Sequence, residues 1–168
     1  IESELRTAMD AEQFVLHYQP TINLETGAIS GAEALMRWRH PSRGLVPPDQ
    51  FIPAAEASAM IIPMGRWALG EACRQAKAWQ DLGLPAIPIA VNVSALQFRT
   101  PGFLEDIQRF LRETPLDAQY LELELTESAL MLDSSTTIPL LELLKQNGVV
   151  LKVDDFGTGP SSLSYLQH

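Results

Sequence analysis

The sequence holds a single cysteine, Cys73, among 168 residues. That excludes an internal disulfide and any zinc site built from several cysteines. No apolar run reaches the ~18 residues that a membrane span needs. The first residues, Ile1-Glu2-Ser3-Glu4-Leu5-Arg6, lack the basic stretch followed by an apolar one that marks a secretory signal. A cytoplasmic domain is therefore expected, with tethering to a membrane protein left open. Basic side chains are scarce: 12 Lys+Arg stand against 21 Asp+Glu, a formal net charge of −9. That balance argues against gripping duplex nucleic acid through a basic face. It leaves room for one phosphate ligand, because bound divalent cations invert the local charge. Internal repeats, low-complexity stretches and linkers are also missing. His17, His40 and His168 show no ligand spacing and read as structural or exposed. What is present is ordinary globular material, 46% apolar and 20% charged, enough to build a core.

Hydrophobic spacing predicts the elements. Residues 3–13 have a helical pattern. Phe14 to Ile22 alternates as a strand, Glu25-Thr26-Gly27 turns, and Ile29 to Trp38 is a second strand. Pro41 to Gly44 and Val46 to Asp49 read as loop, and Phe51 to Ala59 as a short helix. Pro63 sits in the first turn of a long amphipathic helix, with Trp67, Leu69, Ala72, Cys73, Ala76 and Trp79 on its apolar side. Ile87 to Val93 is nearly all apolar, as in a strand covered on both faces. Thr100-Pro101 looks like a helix start with Thr100 as N-cap. Phe103, Ile107, Phe110 and Leu111 form that helix's core face. Tyr120 to Leu125 is a strand. Ser134 or Ser135 caps a helix ending at Asn147-Gly148, and Val149 to Val153 is a strand. The alternation of strand and helix predicts parallel strands, in a doubly wound sheet or a (β/α)8 barrel.

The acids fall at informative places. Glu33 lies in the second strand, Asn92 at the end of the third, and Glu124 late in the fourth. Asp154 and Asp155 follow the fifth. Parallel strands deliver all of them toward one carboxyl-end face, where α/β folds keep their sites. Oxygen donors suit Mg²⁺, Mn²⁺ or Ca²⁺. Two aspartates and two glutamates could hold a metal pair that clamps the attacking and leaving oxygens of a phosphoryl transfer. Without a cation, clustered carboxylates repel. One acid at a strand end is ordinarily a helix cap or a solvated loop residue, the bland reading of Glu127 and Asp133. Four on successive strands are much harder to attribute to capping.

Gly31-Ala32-Glu33-Ala34-Leu35-Met36-Arg37-Trp38 resembles the EAL domain family. Further matches lie in order along the chain. They are Tyr18-Gln19-Pro20, Pro48-Asp49-Gln50-Phe51-Ile52-Pro53-Ala54-Ala55-Glu56, Val91-Asn92-Val93-Ser94, Glu122-Leu123-Glu124-Leu125-Thr126-Glu127-Ser128 and Asp154-Asp155-Phe156-Gly157-Thr158-Gly159. The resemblance covers essentially the whole chain. It implies a TIM-like barrel that hydrolyses cyclic di-GMP to linear pGpG with metal-activated water, in bacterial second-messenger signalling. It further implies that Glu33, Asn92, Glu124, Asp154 and Asp155 bind two Mg²⁺ or Mn²⁺ ions, with Ca²⁺ inhibitory. Arg37 then contacts a substrate phosphate, suited as a planar, charged multi-donor. Glu127 steadies the loop carrying the paired aspartates. Thr126 and Gln19 stand on the substrate side. The resemblance also implies a possible homodimer and an upstream sensory or GGDEF domain, for which the helical start is a natural attachment point.

Two departures stand out. Position 160 is proline where the family usually has tyrosine, and proline fixes φ and removes a donor. The family also carries a catalytic lysine on a later strand and a glutamate proposed as general base, and neither occurs in these residues. Lys152 does not fill that place, since it precedes the paired aspartates. Residues 1–168 are thus expected to be the N-terminal two thirds of an EAL barrel, which needs roughly 250 residues in full. Little turnover is expected from these residues alone. The competing reading is a catalytically inactive, cyclic di-GMP-binding regulatory module. A different metal-dependent barrel enzyme would explain the acids, but not the context of Glu33-Ala34-Leu35.

Overall fold

The computed structural model describes residues 1–131 and 133–154, Asp154 by its backbone alone. Helix α1 (Glu2–Asp10) leads into a hairpin of β1 (Phe14–Ile22) and β2 (Ile29–His40). Its strands pair from Phe14↔Trp38 to Ile22↔Ile29. The turn follows from local chemistry: Asn23 Oδ1 accepts from the Glu25 and Thr26 amides, and Gly27 takes φ +72°. β2 runs two residues beyond the expected end. Its tail pairs with a short β3 (Gly44–Val46), and His40 Nδ1 accepts from the Ser42 and Arg43 amides to close the intervening turn. This part of the expected loop is therefore a small hairpin.

After a single helical turn at Pro48–Gln50 come α2 (Ile52–Ala57), α3 (Ile61–Asp81) and β4 (Ile89–Val93). Then follow α4 (Ala95–Arg99), α5 (Phe103–Glu113), β5 (Leu121–Thr126), α6 (Glu127–Met131), α7 (Ser134–Gln146) and β6 (Val150–Asp154). The sheet order is β1-β2-β4-β5-β6, with β3 paired to β2. β2, β4, β5 and β6 are mutually parallel. Parallel strands that neighbour one another in chain order, with no reversal, wind as a barrel does. A doubly wound sheet would reverse at a switch point.

Ile89, Val91 and Val93 alternate with Leu121, Leu123 and Leu125 to form the helix-covered face of the sheet. They pack with Leu69, Ala72, Cys73 and Ala76 of α3 and with Phe103 and Ile107 of α5. A second cluster joins Leu5, Phe14, Trp38, Phe51 and Met64. α3 spans both clusters, which explains its length. Trp67 and Trp79, expected in the core, sit half-buried at its edges, whereas Trp38 is enclosed. Gly65 lets α3 approach α4: a Cβ there would lie 2.3 Å from Gln97 Oε1. Burial pushes the Cys73 thiol up to about 12. The native protein should therefore resist a thiol reagent at neutral pH, and stoichiometric labelling should appear only on unfolding, as an absorbance assay with a disulfide reagent would show.

Two caps differ from expectation. Thr100 Oγ1 donates back to Leu96 O at 2.7 Å and so closes the end of α4. Gly102, at φ +91°, is the residue that precedes α5, a conformation in which side chains are strained. At α7 the cap is Asp133, which accepts from the Ser135 amide at 3.2 Å and from Ser135 Oγ at 2.7 Å. Those hydrogen bonds, led by the Ser135 hydroxyl, hold the Asp133 carboxyl below the usual range. A lowered folded value stabilises above the unfolded pKa of about 4 and is lost as pH falls through the folded one. Asp133→Asn should therefore narrow the melting-temperature gap between pH 7 and pH 3, read by circular dichroism. An unchanged gap would remove the cap from the account.

Candidate functional site

Period-two alternation turns one set of side chains away from the helices, onto the inner face of the sheet. β4 places Ala90 and Asn92 there, β5 places Glu122, Glu124 and Thr126, and β2 places Glu33, Leu35 and Arg37. Gln19 of β1 stands beside Glu33 in the antiparallel ladder. The register then climbs. Glu33 pairs with Ala90, Asn92 with Glu124, and Thr126 with Asp154. Each step of two residues keeps the inner face and moves toward the carboxyl end, as strands tilted in a barrel require. The result is a diagonal contact: Asn92 Nδ2 donates to Glu33 Oε1 at 3.1 Å. With its amide group so engaged, Asn92 keeps its Oδ1 as an acceptor.

These donors are all oxygen, which is the chemistry a hard divalent cation selects. Glu33, Asn92 and Glu124 fit such an ion in kind and in face. Among the described residues no three His, Cys, Asp or Glu side chains already converge on one ion position. The Asn92 carboxamide belongs to the expected set, and the Asp154 and Asp155 side chains and Pro160 lie outside the described residues. Arg37 is four residues along the strand from Glu33, roughly 13 Å. Its Nη1 donates to Met36 O at 3.0 Å. Thr126 Oγ1 accepts from the Ala129 amide at 3.2 Å and from Ser128 Oγ at 3.3 Å. Thr126 thereby ties β5 to α6, and Glu127, 5% exposed, is buried at the first turn of that helix. A carboxylate is favoured beside those first-turn amides.

A cavity of about 430 Å³ opens beside Leu35, Asn92, Glu124 and Thr126. That volume lies within the usual range for small-ligand sites. Asp49, Ile52 and Glu56 form its opposite wall. The sequence pattern did not assign them a role. Their signal is the Pro48–Glu56 stretch, which only the register of β2 and β4 carries to the cavity. Deeper on the inner face, Lys152 Nζ lies 2.8 Å from Glu122 Oε2.

A one-way wound α/β sheet with oxygen donors toward its carboxyl-end face is the arrangement of a parallel α/β barrel. A family model for the EAL domain matches residues 2–168, and the chain belongs to that family. It is 46% identical over 164 residues to the bifunctional diguanylate cyclase/cyclic di-GMP phosphodiesterase MucR of Pseudomonas aeruginosa. The match covers 98% of this chain and 24% of MucR, so the chain spans about a quarter of that relative. Among solved structures, the PaMucR phosphodiesterase in complex with c-di-GMP superposes with a TM-score of 0.93 at 45% identity. That match covers 99% of this chain and 67% of the other. The EAL enzyme Bd1971 in its cAMP- and cyclic-di-GMP-bound form gives 0.92 at 34% identity, over 99% and 46% of the two chains. The fold is therefore the TIM-barrel-like EAL fold, of which this chain is a portion. No helix among the described residues is long and apolar enough to cross a membrane.

Proposed function

We propose that the protein containing this chain is a cyclic di-GMP phosphodiesterase that hydrolyses its substrate to linear pGpG. Residues 1–168 supply the first part of its EAL domain. The observation that carries this reading is the inner-face set itself: Glu33 hydrogen-bonded to Asn92, Glu124 beside Asn92 in the ladder, and Asp154 at the end of β6. A relative reduced to ligand binding has no need of so many oxygen donors on one face.

Glu33, Asn92, Glu124, Asp154 and Asp155 would hold two Mg²⁺ or Mn²⁺ ions. Bound there, such cations acidify water and offset the charge that develops on the phosphoryl oxygens. Asn92 fixes the Glu33 carboxylate through the 3.1 Å contact, so that this acid meets the ligand already oriented. Arg37 turns its guanidinium from the Met36 carbonyl to a substrate phosphate, where a charged fork is a better match. Gln19, next to Glu33, offers a neutral amide to the nucleotide. Thr126 and Glu127 hold the β5–α6 corner that faces the end of β6. In the reaction, water oxygen adds to phosphorus, one bridging P–O bond breaks, and the proton ends on the departing sugar oxygen.

The test is direct. The complete protein is incubated with cyclic di-GMP and Mn²⁺, and products are separated by liquid chromatography. pGpG supports the assignment. Binding of cyclic di-GMP without any pGpG overturns it in favour of a regulatory module.

A further inference from the structure

We propose that Glu122 is a positioning residue: it holds Lys152 on the floor of the inner face and so keeps that ammonium from competing with a divalent cation for Glu124. The proposal rests on the metal-binding reading given above. Lys152 is the Cα partner of Glu124 across the β5–β6 ladder, on a face otherwise rich in acids. From that position a four-carbon stem reaches either of the two carboxylates that flank it on β5, Glu122 or Glu124. The structure has it turned back, with Nζ 2.8 Å from Glu122 Oε2. That is away from the carboxyl end, where Asn92 and Asp154 stand.

The two partners are unequally sheltered. The Glu122 side chain is 12% exposed and Lys152 55%. Among the described residues, the ion pair of the ammonium is with Glu122. A lysine released from that contact carries one positive charge and three donors. Next to Glu124 it would neutralise the carboxylate and occupy the oxygens that a cation needs. Glu122 prevents this without being a ligand.

Mn²⁺ binding to the complete protein, followed by the electron paramagnetic resonance signal of the free ion, tests the idea without any turnover. Glu122→Gln should weaken Mn²⁺ binding about tenfold, in the range seen when supporting groups of metal sites are removed. Adding Lys152→Met to Glu122→Gln should restore binding to within about twofold of the unaltered protein. A merely structural role for Glu122 would leave the double variant at least as weak as the single one. If Glu122→Gln does not fold, by circular dichroism, Glu122→Asp replaces it, with the same rescue expected. Equal Mn²⁺ affinity in Glu122→Gln and the unaltered protein overturns the proposal, as does a double variant that is not rescued. Absence of Mn²⁺ binding to the unaltered protein overturns the metal reading itself and this inference with it.

Discussion

Glu33→Gln in the complete protein is expected to lower kcat/KM for cyclic di-GMP by about 10³-fold, or ~4 kcal/mol of transition-state stabilisation. The substitution keeps the side chain's shape and leaves its carbonyl oxygen to accept from Asn92 Nδ2, so the 3.1 Å contact survives. It removes the negative charge that a divalent cation needs from this ligand. The melting temperature should stay within about 2 °C, because an inner-face carboxylate contributes to the site and not to the core. Steady-state kinetics with saturating Mn²⁺ measure the first quantity and thermal denaturation the second. Activity within tenfold of the unaltered protein would mean that Glu33 is no ligand. A large loss of stability would mean that it is structural.

Trp38→Ala should have the largest effect on folding. Trp38 is 2% exposed and packs its ring against Phe14 and Phe51, with centroids 5.7 and 6.0 Å away. The Arg43 guanidinium carbon lies over the Trp38 ring, 5.3 Å from its centroid. Truncating a buried aromatic to alanine costs about 3–5 kcal/mol, through lost transfer energy and the cavity left behind. The same change also removes the Nε1–H that reaches Gln13 Oε1 at 3.0 Å. Because the second core cluster joins α1, the hairpin, α2 and α3, the loss falls on all four at once. Urea titration of the complete protein should show a lower midpoint. A shift below about 1 kcal/mol would contradict the packing described for this cluster.

Much of this arrangement was legible in the residues. β1 starts and ends where the pattern places it, because Phe14, Leu16 and Tyr18 put a large ring or aliphatic side chain at every second position, although Val15 between them is apolar as well. Asn92 and Glu124 were legible as oxygen donors late in otherwise largely apolar parallel strands, whereas Glu33 lies within β2, seven residues before its end. Short helices were less legible. α4 and α6 have five residues each, too few to display a 3.6-residue period. Thr100-Pro101 imitates a helix start, since a hydroxyl followed by proline suits a first turn. Only the three-dimensional path shows that hydroxyl bonded backward to Leu96. Register was the least legible part. The diagonal from Glu33 to Asn92 and the partnership of Lys152 with Glu122 depend on which residues face one another across strands, and no local pattern encodes that.

The sheet's connectivity also sets an order of assembly. The turn between β1 and β2 has six residues, 23–28, whereas β2 reaches β4 only across residues 41–88. Loop-closure entropy rises with the logarithm of length, so the second closure costs about 2 kcal/mol more than the first. Hairpins form in microseconds, and distant parallel pairing is much slower. The β1–β2 hairpin, which presents Gln19 and Glu33 side by side, is therefore an early nucleus on which the slower parallel strands dock. The Glu33 side of the site would then be in place before Asn92 arrives to meet it, so a lesion in the hairpin turn should slow folding, whereas one in the β2–β4 crossover should mainly speed unfolding.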